Sequence, residues 1–128
     1  MSSMISLDSY ERKLLDGWEE VFKKGQLTLW IMLALKDGPK HMSEMKAFIS
    51  RATNHTLSAD DQSMYRPLRR YYDAELVDFK QEPGKGGPDL KIYSLSQIGK
   101  KVLEEFIKRN IVDVFFKPEV KVLLERSK

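Results

Sequence analysis

The part of the sequence whose side chains are best suited to recognition is SADDQSMYRPLRRYYDAELV, residues 58–77. It places arginines at 66, 69 and 70 and a glutamine at 62 shortly after two aspartates. Arginine presents a planar fork of donors that pairs with phosphate, carboxylate or the edge of guanine, and glutamine both donates and accepts hydrogen bonds. The chemistry that this stretch offers is therefore recognition of a polar or anionic partner.

Catalytic and metal-binding patterns are missing from the sequence. It contains no cysteine, only two histidines (His41 and His55), no paired carboxylates within an apolar run and no glycine loop that leads from a strand into a helix. We interpret both histidines as surface or loop residues, since two histidines alone make a weak metal site. We expect no enzymatic activity, no cofactor and no metal.

Composition is that of one soluble domain. The 128 residues are 41% hydrophobic and 32% charged, with a formal net charge of +3. Because cysteine is absent, and the longest apolar run (residues 27–35) is too short to span a membrane, we expect a cytoplasmic protein without a membrane segment or signal peptide. Residues 40–70 carry six basic side chains against three acidic ones, so part of the basic charge lies around the arginine-rich stretch.

Three helical patterns precede that stretch. Residues 8–24 form an amphipathic pattern that Asp8 or Ser9 can cap and that Gly25 ends. Residues 26–36 are apolar almost all round, which is typical of a helix in the centre of a small domain. A third helix can begin at Ser43, and DGP at 37–39 separates it from the second.

The stretch 58–77 itself opens with a fourth helix. Ser58 and Asp61 resemble a capping box, and Pro67 predicts a kink. Helical spacing assigns four side chains to the core, namely Met64, Leu68, Tyr71 and Tyr72. It leaves five facing outward, namely Gln62, Ser63, Arg66, Arg69 and Arg70.

A β-hairpin and a long helix complete the chain. Residues 76–81 and 90–96 alternate as strands do, and the glycine-rich turn between them carries Lys85 at its tip. An apolar stripe then runs from Ser96 to about residue 115, where Lys117 and Pro118 break it. Residues 120–124 can add one or two further turns.

The order of these elements predicts a mainly α, α+β winged-helix fold. It comprises a trihelical helix-turn-helix core with a two-stranded β-wing, flanked by N- and C-terminal dimerisation helices. We divide the single domain into an N-terminal helix (1–25), the winged core (26–96) and a C-terminal dimerisation helix and tail (97–128). In such folds the helix before the wing enters the major groove of DNA, and nearby basic groups contact phosphates.

These expectations define two sets of residues. The predicted DNA-binding residues are Gln62, Ser63, Tyr65, Arg66, Arg69, Arg70, Lys46 and Lys85. The flanking helices carry more apolar surface than the winged core can cover, and the predicted dimerisation residues are Leu14, Trp18, Phe22, Phe106, Ile107, Ile111 and Val114.

Three segments, GQLTLWIMLALKDGP, SMYRPLRRYYDAELV and KIYSLSQIGKKVL, resemble the sequence blocks of the PadR transcriptional regulators, in the same order. The resemblance covers about residues 18–107. The second block departs from the family pattern, because the proline is displaced to Pro67, Tyr71 replaces a leucine, and Glu75 stands where glycine is usual. The resemblance implies a DNA-binding homodimer, usually a repressor, and in some members a small aromatic effector.

Each sequence feature also has a plainer interpretation. The arginines can form a solvated face or pair with Asp61 and Asp73, Lys85 can serve loop solubility, and Tyr65 can belong to the core. Asp60 and Asp61 are more often helix caps than partners of cytosine. Three apolar residues are candidates for an effector pocket, namely Trp18, Trp30 and Met32. Apolar residues at helical spacing more often belong to the hydrophobic core. The end helices can fold back on their own core, and a winged helix can serve protein contact instead of DNA binding.

Overall fold

The computed structural model describes residues 6–125. The elements, in chain order, are α1 (Ser9–Lys23), α2 (Leu27–Asp37), α3 (Met42–Ala52), α4 (Asp61–Asp73), β1 (Val77–Glu82), β2 (Leu90–Leu95), α5 (Gln97–Ile107), a π-helical segment (Lys108–Val112), α6 (Asp113–Phe115) and α7 (Pro118–Leu124). None of these helices is long and apolar enough to cross a membrane.

Helices α2, α3 and α4 followed by an antiparallel hairpin confirm the predicted winged helix. The strands pair from Val77 with Leu95 to Glu82 with Leu90, and this hairpin is the wing. The chain at Lys40, just before α3, also pairs with the wing, because its N–H donates to the Tyr93 carbonyl (3.0 Å) and its carbonyl accepts from the Tyr93 N–H (2.9 Å). The start of α3 and the wing are thereby joined.

The core lies where α2 meets α3, α4 and the wing. Helix α2 supplies Ile31 and Ala34, which are fully buried, as its apolar sequence predicts. The largest fully buried side chains are Ile31, Met45, Ile49, Met64, Leu68 and Val77. Helix α4 is thus held from its inner face by the same core that holds α2.

Two helices begin at residues other than those predicted. Helix α3 begins at Met42, because His41 caps it: the imidazole Nδ1 accepts from the Glu44 N–H (3.4 Å), and the Glu44 carboxylate accepts from the His41 N–H (3.0 Å). Helix α4 begins at Asp61 with Asp60 as its cap, so the predicted role of Ser58 is wrong. The helix continues as an α-helix through Pro67 to Asp73.

Helix α1 packs on almost nothing in its own chain. Asp8 and Glu11 cap it in a capping box, and it ends before Gly25, whose φ of 82° suits glycine. No residue of α1 is buried, and Trp18 is 74% exposed. The alternative in which this helix folds back on the winged core of its own chain is therefore wrong.

The C-terminal helix differs from the single stripe that was predicted. It starts after Ser96, whose hydroxyl caps it by accepting from the Gly99 N–H (2.9 Å), but residues 108–112 are π-helical. The Asn110 side chain donates to the Phe106 carbonyl (3.0 Å) within this region. Leu103 is buried and Ile107 is partly buried against the core, so only the first part of the helix folds back on its own chain.

Candidate nucleic-acid interface

Helix α4 presents a polar face directly opposite its buried one. Met64, Leu68 and Tyr71 are buried, and with 3.6 residues per turn the opposite direction belongs to positions 62, 66, 69 and 73. Gln62, Arg66 and Arg69 are all exposed there.

The two flanks of α4 are exposed as well. Ser63 and Arg70 lie exposed on one flank of the helix. Tyr72, predicted to face the core, is instead 43% exposed on the other flank.

The start of α4 is fixed by Asp60. Its carboxylate accepts from the Ser63 N–H at 2.8 Å, and this bond is the main reason why the pKa of Asp60 lies below its usual value. A carboxylate at this position also suits the positive end of the helix dipole. Asp60 thus acts as a helix cap, as the plainer interpretation held.

Lys46 comes from α3 to the same end of α4. Its Nζ lies 2.6 Å from Oδ1 of Asp61, and both side chains are partly exposed. The predicted DNA-binding lysine is therefore placed beside α4 but is paired with a carboxylate.

The arginines of α4 differ in their partners. The Nε of Arg69 lies 3.4 Å from the Asp73 carboxylate, in an exposed pair of the kind that contributes little to stability. Within residues 6–125, Arg66 and Arg70 form no ion pair. The guanidinium groups of this helix are largely available to a partner.

The wing has two chemically different faces. Phe79, Lys91 and Tyr93 share the face toward α4, because the register places Phe79 opposite Tyr93. Lys80 and Glu82 lie on the other face, with their charged groups 3.9 Å apart. Lys85 lies exposed at the tip, as predicted, in a turn where Gly86 has a φ of 72°.

An aromatic cluster joins the wing to α4. The rings of Tyr72 and Phe79 are 4.8 Å apart between centroids, and those of Phe79 and Tyr93 are 5.7 Å apart. The Nζ of Lys91 lies 4.7 Å from the centre of the Phe79 ring, which is cation–π distance. Sequence reasoning missed Lys91, although alternation along β2 puts it on the same face as Tyr93 and could have indicated it.

The two histidines form local hydrogen bonds. His41 caps α3, and the His55 ring bonds to the Ser50 hydroxyl at 2.7 Å in the loop before α4. Within the described residues, no group of three or more histidine, aspartate or glutamate side chains is arranged so that it could hold a metal ion.

The three candidate effector residues do not share one pocket. Trp18 lines a surface hollow on α1, whereas Met32 lines an apolar cavity of about 170 Å³ between α2 and α5. Thr28 also lines this second cavity, and its hydroxyl is hydrogen-bonded to that of Tyr71 on α4.

Comparison with known proteins identifies the fold. A PadR-like transcription factor from Bacteroides fragilis superposes with a TM-score of 0.60 at 22% identity, over 84% of this chain and 95% of its own. A PadR family transcriptional regulator from Eggerthella lenta gives 0.64 at 18% identity, over 93% and 100%. The chain has the PadR-like winged-helix fold. The predicted resemblance is therefore confirmed at the level of the fold.

A third similar structure is a complex with DNA. Bacillus subtilis PadR in complex with operator DNA superposes with a TM-score of 0.60 at 20% identity, over 67% of this chain and 48% of its own. This chain thus matches about half the length of that protein. No protein-family model and no curated protein sequence matches the chain.

Proposed function

We propose that the protein is a PadR-like, DNA-binding transcriptional regulator that acts in the cytoplasm as a homodimeric repressor and not as an enzyme. The observation that carries this proposal is the exposed face of α4, where Gln62, Arg66 and Arg69 stand beside a lysine-bearing wing. A PadR protein with the same fold is known in complex with operator DNA, which supports the same kind of partner here.

The roles of the α4 side chains follow from their positions along the helix. Gln62, Ser63 and Arg66 lie in its first two turns, where a helix in the major groove approaches the base edges. Glutamine suits adenine and arginine suits guanine. Arg69 and Arg70 lie further along, where such a helix passes the backbone, so we assign them to phosphates.

Three residues around α4 complete the proposed contact surface. Lys85 extends the basic surface at the wing tip, and the Tyr65 hydroxyl can donate to a phosphate. Lys46 can join them once it exchanges its Asp61 partner for a phosphate. All three contacts would add affinity without selecting a sequence.

The homodimer is proposed from the apolar surface that the chain leaves uncovered. Leu14, Trp18 and Phe22 on α1 are more than half exposed, and Phe106 and Val114 are exposed in the C-terminal helix. A second copy that covers these faces would place two α4 helices on one side of the dimer. Two half-sites about 34 Å apart on a palindromic operator would then match the two-fold symmetry.

The experiment that tests the function is selection of bound sequences from a random pool of DNA duplexes. Binding of the selected duplex and of all its single-base variants is then measured for Gln62→Ala, Arg66→Ala, Arg69→Ala and Arg70→Ala. The first two changes should alter base preference and cost about 1–3 kcal/mol on the favoured site, because each removes a base contact. The last two changes should lower the affinity for all duplexes by similar factors, whatever their sequence.

Two outcomes would contradict the proposal. If no sequence is enriched and affinity for duplex DNA does not fall with salt, the winged helix serves protein contact instead. If a sequence is enriched but neither Gln62→Ala nor Arg66→Ala changes base preference, α4 is not the helix that contacts the bases.

A further inference from the structure

Two neighbouring cavities lie between α4 and the wing. The smaller has a volume of about 160 Å³ and the larger of about 460 Å³. Tyr65, Lys91 and Tyr93 line both, so the cavities adjoin along these three side chains. Their remaining linings differ in charge, which decides what each can hold.

The smaller cavity is cationic. Arg69 from α4 and Lys91 from β2 line it, and no carboxylate does. The larger cavity is lined by two carboxylates, Asp61 and Asp89, together with His41. The smaller cavity therefore offers an anion two cations and no opposing carboxylate, whereas in the larger one the two carboxylates oppose the charge of Lys91.

The Lys91 ammonium has an aromatic contact that favours one position for it. It lies over the face of the Phe79 ring, and that ring is itself fixed between Tyr72 and Tyr93. A lysine side chain that moves freely in solvent loses conformational entropy when it binds a ligand. The contact with Phe79 already restricts Lys91, so less entropy is lost when an anion binds.

The other polar groups at the cavity favour an oxyanion. Tyr65, Tyr72 and Tyr93 bring phenolic hydroxyls, which can donate hydrogen bonds. Burial raises the pKa of Tyr93, and the neighbouring Tyr65 raises it further, so this hydroxyl keeps its proton at neutral pH. The nearby carboxylate is Asp73, whose exposed contact with the Arg69 Nε at 3.4 Å is weak enough to yield to a second anion.

We propose that the cavity formed by Arg69, Lys91 and the tyrosines between α4 and the wing binds one phosphate of the DNA backbone. This inference rests on the proposed function, which it deepens by naming a contact shared by helix and wing. One cation comes from each element, so a single phosphate would tie the wing to the helix that enters the groove.

The test compares Lys91→Ala with Lys80→Ala. The two lysines belong to the same hairpin and carry the same charge, but Lys80 lies on the face turned away from α4. Affinity for the selected duplex and for an unrelated duplex is measured by fluorescence anisotropy over a range of salt concentrations. Circular dichroism checks that each variant is folded.

Lys91→Ala should lower the affinity for both duplexes by similar factors of about tenfold. It should also reduce the salt slope of binding by about one, because one phosphate contact is lost. Lys80→Ala should leave affinity within about twofold and the slope unchanged, since its charge does not meet the backbone. Lys91→Arg should restore the slope, because arginine also pairs with phosphate.

Three results would overturn the phosphate assignment. Equal losses of DNA affinity in the Lys91→Ala and Lys80→Ala variants would show a general charge effect. A loss of affinity in Lys91→Ala for the selected duplex alone would show that Lys91 contacts a base. Unchanged DNA affinity and salt slope in Lys91→Ala would exclude a backbone phosphate, and binding of inorganic phosphate that this change abolishes would then assign the cavity to a free anion. If the wild-type protein binds no duplex, the proposed function itself fails, which is a separate outcome.

Discussion

At the scale of single residues, the pairing of Lys46 with Asp61 limits the positive charge beside α4. The two side chains come from different helices and lie 2.6 Å apart. An exposed pair of this kind is held by less than about 1 kcal/mol, so a phosphate can compete for the lysine. The carboxylate left behind would still repel the DNA backbone.

Asp61→Asn should therefore raise affinity for every duplex by about three- to tenfold and steepen the salt slope by up to about one, because Lys46 becomes free to contact a phosphate. Anisotropy titrations at several salt concentrations measure both quantities. Asp60→Asn is the matched control, since it removes the same charge one residue earlier, asparagine also caps helices, and the Lys46–Asp61 pair remains. Equal gains in both variants would contradict a specific role for the pair.

Sequence periodicity was sufficient to orient α4 but not to find its neighbours. The outward positions of Gln62 and Arg66 follow from helical spacing, because the core fixes the opposite face. The contacts of Lys46 with Asp61 and of Lys91 with Phe79 depend on how α3 and the wing pack against α4. Pairs so far apart in sequence leave no periodic signal, which is why these contacts were not predicted.

At the scale of elements, the winged core was predicted because each helix and strand has its own local signal. The π-helical segment at 108–112 was not, since its apolar residues follow the same stripe as an ordinary α-helix. His41 was also missed as a helix cap, because histidine is not one of the residues preferred there. Tyr72 was assigned to the core because the helical spacing cannot show that the wing leaves this ring half exposed.

The turn from α4 to the wing depends on Glu75. Its φ is 66°, in the left-handed region, and it occupies the position where the resemblance expects glycine. The Ser96 hydroxyl donates to its carbonyl at 2.6 Å, so the cap of α5 holds this conformation. The turn therefore has a backbone conformation that suits glycine, although residue 75 is a glutamate. For a residue with a Cβ, this conformation costs about 1–2 kcal/mol.

Glu75→Gly should raise the free energy of unfolding by up to about 1 kcal/mol, because relief of the left-handed strain exceeds the added chain entropy of glycine. Urea denaturation followed by circular dichroism measures the change. Ala74→Gly is the control, since Ala74 has an ordinary φ of −87° and should gain nothing. A loss of stability in Glu75→Gly would mean that the glutamate side chain stabilises the turn.

At the scale of the whole molecule, the apolar surface is unevenly distributed. Helix α1 has no buried residue, and α7 leaves Val122, Leu123 and Leu124 exposed. An isolated helix of 15 residues is only marginally stable in water, so α1 needs a covering surface to persist. The proposed dimer supplies it and would also set the spacing of the two α4 helices.

Trp18→Glu should convert the protein to a monomer at micromolar concentration, because it places a charge in the centre of the apolar face of α1. Light scattering after size exclusion reports the mass, and affinity for a palindromic duplex should fall by at least about tenfold while a single half-site is bound as before. Lys13→Glu adds the same side chain to the polar face of α1 and should leave the dimer intact. A wild-type protein that is monomeric under these conditions would remove both the dimer and the palindromic operator.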